Sequence, residues 1–320
     1  MTNDDQITFQ KKEDAVVFSE LKNGISGLKF EKLSHICRTQ FNSTIEKIPP
    51  YSCFNWLSLQ CCFPDALVSF IPHGLILFLK DPITGEKYFS PLLHDSNEEI
   101  FRGLISEATN MSADSKLRYI PEESLEGLNG DFKIEPRRDA FDYIFSIEDM
   151  LNPSCSSVTV NHESANDCRA NNTGIRVEQV EYSPKIASSF ADFIRSRSKA
   201  GKNCTYKDTL EWDNYNLLRC LDIWKNHYFS VFSAFDQKGN VIGFTINEIS
   251  NDDIFIGHFG RAQRKFVGLS ELLEIETAKA MQDIGLKYLN DQEDLGNSYL
   301  REKKSSWKPT RHLRVFDICL

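Results

Sequence analysis

The sequence predicts an α+β protein of two lobes, each a mixed sheet with helices on both faces. Three observations carry that expectation. The chain has 320 residues, room for two cores of ordinary size, and 41% hydrophobic with 26% charged residues is the balance of a folded globular protein. Strand-like and helix-like patterns recur in a similar order on either side of residues 152–174, a stretch rich in Ser and Asn without apolar periodicity. Each half also carries a hairpin signal, Thr84-Gly85 in the first and Lys238-Gly239-Asn240 in the second. The expected organisation is a polar N-terminal segment over 1–25, a first lobe over 26–151, a linker or insertion over 152–174, and a second lobe over 175–320.

In the first lobe "GISGLKFEKLSHICRTQF" reads as a helical entry, and 74–93 as a hairpin around Thr84-Gly85. Asn97 precedes the helical pattern "EEIFRGLISEAT", whose Ile100, Leu104 and Ala108 share a face. A strand "KLRYI", a Pro-started helix "PEESLEGL" and the extended pieces "DFKIEP" and "DAFDYIF" follow. In the second lobe "IRVEQVEY" reads as a strand, Ser183 caps "PKIASSFADFIRSRS", and Leu217, Leu221 and Trp224 form one helical stripe. Two strands around Lys238-Gly239-Asn240 and a third, "DDIFIGHFGRA", precede the helix "LSELLEIETAKAMQDIG". The strand "LKYLN", the helix "GNSYLREKKSS" and the strand "HLRVFDICL" close the pattern.

Composition narrows the function. A net charge of −9 excludes a protein that coats nucleic acid non-specifically, while leaving room for a local basic site. No apolar run reaches the roughly 18 residues that cross a bilayer. The opening "MTNDDQITFQKKED" lacks the cationic-then-apolar order of an export signal, so a cytoplasmic location is expected. Nine cysteines without a CxxC pair, and histidines without HxxxH spacing, predict reduced thiols and no metal site.

Four constellations could carry chemistry. "YLNDQEDLGNSYLREKKSSWKP" holds Asp294 and Gly296 at a strand-to-helix turn, with Arg301 and Lys304 on one face of the helix beyond. Those cations suit an anionic group, the guanidinium in two-pronged geometry. The structural alternative makes Asp294 a cap, pairs Arg301 with Glu293 or Asp294, and leaves the lysines solvated. Asp139 and Asp142, after Arg137 and Arg138, could orient an amine or simply form an Arg–Asp turn network. His258 lies between aromatics on a strand, either as a satisfied core histidine or as a base near neutral pH. "KFVGLS" places Lys265, Gly268 and Ser270 at a helix start, where free N–H groups accept phosphate. No Ser-His-Asp or Cys-His signature is visible, so no covalent intermediate is expected.

The order of elements resembles the acetyltransferase-like fold called GNAT, in tandem. More narrowly, "DAFDYIFSIEDM", "GNVIGFTINE", "IGHFGRAQRKFVGL" and above all "YLNDQEDLGNSYLREKKSSWKP" resemble soluble relatives of the C-terminal domain of phosphatidylglycerol lysyltransferases. Asn290, Asp294, Arg301 and Lys304 stand at the family's spacings. Gln292 replaces a usual acid, and Tyr299 a usual glycine. The resemblance implies a soluble acyl- or aminoacyltransferase that moves a group from acyl-CoA or aminoacyl-tRNA to an amine or hydroxyl acceptor, with no tightly bound cofactor. It puts His258 and Asp294 in catalysis, and Asn290, Arg301, Lys304, Asp139 and Asp142 against the substrate. Lys265, Gly268 and Ser270 would hold the carrier's phosphate. The lipid-synthesising members carry a membrane domain and a different final motif, so lipid lysylation is not expected. The alternative from another class is a non-catalytic module that binds RNA or another phosphate-bearing partner.

Overall fold

The computed structural model describes residues 28–95, 98–110, 116–128, 131–152, 156–198, 207–226, 229–251 and 253–320. The expected polar segment 1–25 and the cap at Asn97 lie outside them. Strand β1 (Glu31–Lys32), helices α1 (Arg38–Ile45) and α2 (Trp56–Cys62), and strands β2 (Leu67–Ile71), β3 (Gly74–Lys80) and β4 (Lys87–Leu93) come first. Helix α3 (Glu98–Asn110) and strands β5 (Leu117–Pro121), β6 (Lys133–Pro136) and β7 (Asp142–Ser146) follow. Next are α4 (Ile147–Leu151), α5 (Ser156–Asn171), β8 (Arg176–Val180), α6 (Pro184–Ser198), α7 (Lys207–Trp224), β9 (Ser230–Phe235), β10 (Val241–Ile249) and β11 (Ile254–Ala262). Helix α8 (Leu269–Asp283), β12 (Tyr288–Asn290), α9 (Ser298–Ser306), β13 (Arg311–Leu313) and β14 (Val315–Cys319) end the chain.

The chain divides into two compact units that are discontinuous in sequence. One takes the described parts of Met1–Pro49, Cys62–Arg138 and Arg314–Leu320, the other Pro50–Cys61 and Asp139–Leu313. The first unit holds an antiparallel sheet β1-β2-β3-β4 and a smaller sheet β5-β14-β6. Its core gathers Ile76, Phe78 and Phe89 from the hairpin, Phe101 and Leu104 from α3, and Ile318 from β14. The expected hairpin over 74–93 is present as β3 and β4, whereas "PEESLEGL" gives only a 3₁₀ turn at Glu122–Leu125.

The second unit is built on seven strands in the order β13-β7-β12-β11-β10-β9-β8. Helices cover both faces of this sheet. On one side Thr245 of β10 meets Thr277 of α8 through a 3.1 Å hydroxyl contact. On the other Phe190 of α6 stacks on Phe244, ring centres 4.1 Å apart. Ser183 caps α6 as expected, its Oγ accepting from the Ile186 N–H.

Two expectations need correction. Residues 156–171 are a helix and not part of a linker: Val158, Ala165 and Cys168 are buried in the same core as Leu269, Leu272 and Ile275 of α8. These apolar side chains are small and sparse, so the helix carries almost no amphipathic signal. Accordingly the units change at residue 138 and again at 313, not within 152–174. The last strand is likewise two: β13 pairs with β7, while β14 joins β5 and β6.

Candidate active site in the second unit

Strands β11 and β12 run parallel but stay paired only from Ile254–Ile256 to Tyr288–Asn290. Beyond Asn290 the chain leaves β11 and bonds to β7, Asp291 N donating to Tyr143 O and Tyr143 N donating to Gln292 O. Strand β11 continues alone to Ala262, so the sheet opens between them. The turn that peels away holds Gln292 and Leu295 at φ 60° and 52°. A left-handed residue other than glycine costs about 1–3 kcal/mol and persists only where its surroundings fix it. The opening is a cleft of about 400 Å³ whose walls include His258, Arg264, Glu274, Gln292, Glu293 and Trp307. His258 faces the α2 side of the sheet and Glu274 rises from α8 on the other, so the cleft passes between the strands.

His258 is buried and held at both nitrogens. Its Nε2 lies 3.1 Å from Glu248 Oε2, while Nδ1 lies 3.1 Å from Gln292 Nε2 and 3.4 Å from Ser58 Oγ. A carboxylate accepts and an amide N–H donates, so the neutral ring carries its proton on Nε2 and leaves the Nδ1 lone pair toward Gln292. Glu248 alternates onto the same face of β10 as Phe244 and Ile246, which sets it beside His258 on the neighbouring strand.

The turn beyond β12 is a closed electrostatic bracket. Asp294 is wholly buried, accepting from Tyr143 Oη at 2.6 Å, from Arg301 Nε at 2.8 Å and Nη2 at 2.9 Å, and from Gly296 N at 2.9 Å. Burial works to raise its pKa, but Arg301, with Tyr143 and the Gly296 amide, holds it down to about 2. Arg301 also donates to Asp139 Oδ1 at 3.0 Å. Gly296 sits at φ 72°, where a Cβ would come within 3.0 Å of the Asp139 carboxylate.

Lys304 is buried too, its ammonium donating to Asp291 Oδ2 at 2.6 Å and to the Asp291 carbonyl. Lys303 pairs with Glu274 Oε1 at 2.5 Å. Asn290 is fully buried, donating to Pro50 O and Asp142 Oδ2 and accepting from Gln292 N. Asp142 is equally buried, accepting from Ser52 N and Ser52 Oγ, each at 2.6 Å. Burial first, then the charge of Glu293, push Asp142 up to about 7 against the hydrogen bonds from Ser52 and Asn290.

Three polar groups in the cleft are left incompletely partnered among the described residues. Arg264 is exposed with no ion-pair partner among the described residues. Glu274 Oε2 and Trp307 Nε1 are buried atoms without a hydrogen-bond partner among them. Buried polar atoms are nearly always paired; other such orphans among the described residues include Asn216 Oδ1, Arg219 Nε and Asp317 Oδ1, away from the cleft.

The sequence-derived residues therefore sort by place. His258 and Lys304 line the cleft; Asn290, Asp142, Asp294, Arg301 and Asp139 brace the turn beside it. Asp294 is no proton acceptor in this setting, since its oxygens are occupied and it stays ionised to about pH 2. The lysine at 304 is ion-paired rather than solvated.

The helix start at 265–270 also reads differently. Gly268 has φ 80°, and a Cβ there would lie within 1.9 Å of the Ser164 carbonyl oxygen, so its smallness serves the contact of α8 with α5. Ser270 donates to Glu271, an acid in the first turn, and the Lys265 ammonium lies 4.8 Å over Phe266. An anion has little reason to settle there. Sequence reading gave no role to Glu248, Arg264 or Trp307, and named Glu293 only as a possible partner of Arg301. All four lie in quoted motifs, but pairing and exposure, which distinguish them, are not visible in one dimension.

An open parallel pair of strands, flanked by antiparallel ones and followed by α8, is the cleft of a GNAT-type fold. A tandem GNAT protein of the clavulanic acid pathway superposes with TM-score 0.51 at 11% identity, over 91% of this chain and 98% of that one. A conserved protein of unknown function from Bacteroides thetaiotaomicron gives TM-score 0.75 at 17% identity, covering 92% and 99%. L-PGS from Bacillus licheniformis gives 0.56 at 11%, covering 88% and 91%. At these identities the likeness establishes the fold: a mixed α+β, tandem GNAT-like protein. The model of the family described as phosphatidylglycerol lysyltransferase, C-terminal, matches residues 47–318, and the chain belongs to that family. No curated protein matches the sequence. No helix among the described residues is long and apolar enough to cross a membrane.

Proposed function

We propose that the opening between β11 and β12 is the reaction site of an acyl- or aminoacyltransferase. It would move a group from a phosphate-bearing carrier, acyl-CoA or aminoacyl-tRNA, to a small amine or hydroxyl acceptor. One observation carries this reading: the exposed guanidinium of Arg264, without an ion-pair partner among the described residues, lines the same opening as the buried imidazole of His258 and the orphaned Trp307 Nε1. Fold and family support an acyl-transfer chemistry; the carriers themselves are made in the cytoplasm, where the protein would act.

Each group has work to do in such a reaction. Arg264, a guanidinium at the cleft with no ion-pair partner among the described residues, suits a carrier phosphate, whereas Lys304 would have to leave Asp291. Glu248 holds the imidazole, and once a bound acceptor displaces the Gln292 amide, His258 Nδ1 can take the proton lost by the attacking amine or hydroxyl, a step worth about 10²–10⁴-fold. Trp307 Nε1–H is a fixed donor of the kind that stabilises a developing oxyanion. The bracket of Asp294, Arg301 and Asp139 keeps the turn, and with it Gln292, in place.

The test is turnover of labelled acyl-CoA and aminoacyl-tRNA across a panel of amines and alcohols, with products read by mass spectrometry. Transfer from one donor, lowered about 100-fold or more in His258→Gln, supports the reading. Saturable carrier binding without product in any combination would make the protein a phosphate-partner or RNA-binding module instead.

A further inference from the structure

A transfer needs two proton-handling groups, one for the attacking atom and one for the departing atom, and His258 accounts for the first. A second set lies in the same cleft. Ser52 Oγ is 2.6 Å from Asp142 Oδ1 and 3.2 Å from Glu293 Oε2, so one hydroxyl bridges two carboxyls. Glu293 lines the cleft, whereas Asp142 lies behind it with no exposure. Neither carboxyl has a cationic partner among the described residues, although Lys303, Lys304 and Arg301 are close in sequence; each of those is committed to another acid.

Two carboxyls joined by one hydroxyl and lacking a cation cannot both stay ionised cheaply. The elements around Asp142 supply no relief. Strand β12 and its turn bring Tyr288, Asp291 and Glu293; β13 brings Arg311 and His312; Tyr51 and Cys53 flank the serine. Arg311 is exposed, and Asp291 is held by Lys304. Asp142 is accordingly raised to about 7, by burial and then by Glu293. That pair would hold one proton around neutral pH. The orphaned Trp307 Nε1 and Glu274 Oε2 in the same walls are independent signs that a ligand reaches it.

We propose that Glu293 is the general acid of this site, with Ser52 and Asp142 as positioning residues that keep one shared proton on the pair. The inference rests on the transferase reading above. As the acceptor nitrogen or oxygen bonds to the acyl carbon, its proton passes to His258 Nδ1. The carrier bond to that carbon breaks, and the departing oxygen or sulfur takes the proton from Glu293. Loss of products lets the His258 proton return to the pair through solvent, so donor plus acceptor gives product plus protonated carrier with nothing else consumed. A 3′ ester, whose alkoxide leaves poorly, needs this proton more than a thioester does.

The deciding experiment compares leaving groups. The same acyl group is offered as an oxygen ester of tRNA and as a nitrophenyl ester, whose phenolate departs unprotonated. Glu293→Gln should lower kcat with the first by about 10²–10⁴-fold and with the second only a few-fold. Asp142→Asn removes the buried carboxyl raised to about 7, so the alkaline limb of the kcat profile should leave that region; Ser52→Ala removes a hydrogen bond that lowers Asp142, so the limb should move to higher pH. Equal losses with both esters, or an unmoved limb, would overturn the proposal. Infrared titration of the carboxyl band needs no turnover and should show one protonated buried carboxyl persisting to about pH 7 in the unmodified protein. If no donor is turned over, the transferase reading fails, and that titration decides alone: no protonated carboxyl above about pH 5 ends the proposal.

Discussion

The turn beyond β12 and the opening beside it contain the same kinds of residue, yet they are finished to different degrees. In the turn, Asp294 meets four donors, Arg301 meets two acids, and Gly296 fits against Asp139. In the opening, Arg264 has no acid, and Trp307 Nε1 and Glu274 Oε2 have no partner among the described residues. Both carry charge, but the exposed cation without an ion-pair partner among the described residues, Arg264, stands in the opening. Satisfied polar groups hold a backbone in one conformation; unsatisfied ones are affordable only where a ligand completes them. The contrast separates residues that build the site from residues that use it.

Substitutions can break this contrast at either end, and the largest effect is expected in the finished scaffold. Gly268→Ala places a Cβ onto the Ser164 carbonyl at a left-handed backbone position. Strain and overpacking together should cost about 3 kcal/mol or more, read as a lower urea midpoint. Next comes Arg301→Ala, which leaves the buried Asp294 carboxylate short of its charged donor and should lower the urea midpoint by less than Gly268→Ala does.

The acid limb of stability follows from the same bracket. Asp294 has a native pKa near 2, below the unfolded value of about 3.9. Its contribution is therefore complete above about pH 4 and lost as pH falls toward 2. Melting curves of Arg301→Ala should decline less over that window than those of the unmodified protein. A smaller change is expected from Trp307→Phe, which removes an unpaired donor: stability within about 0.5 kcal/mol of normal, with kcat reduced. A large loss of stability there would show that the indole N–H belongs to the scaffold.

Much of the scaffold was legible in the sequence, since it depends on local signals. Alternation produced the hairpins at 74–93 and around Gly239, and Ser183 announced its helix. The segment 156–171 escaped because its buried side chains are a valine, an alanine and a cysteine amid polar residues. For the site, the motif around Asn290, Asp294, Arg301 and Lys304 drew attention to this turn, but not to what each side chain pairs with. Partners such as Tyr143 and Asp139 lie more than a hundred residues away, and only folding reveals that they consume those charges. Arg264 and Trp307 were invisible for the converse reason: what distinguishes them is a polar group without a partner among the described residues.

The central claim, that the opening receives the carrier while the bracket only shapes it, is tested most directly by two arginines. Affinity for coenzyme A and for tRNA, together with melting temperature, should be measured for Arg264→Ala and Arg301→Ala well below either melting transition. Arg264→Ala should melt like the unmodified protein and bind its carrier about 10-fold more weakly, with the salt slope for tRNA flatter by roughly 0.7–1. Arg301→Ala should melt lower yet keep most of its affinity and its full salt slope. If Arg264→Ala binds both carriers normally while folded Arg301→Ala loses the one that binds, the carrier sits on the bracket and the account of the opening is wrong.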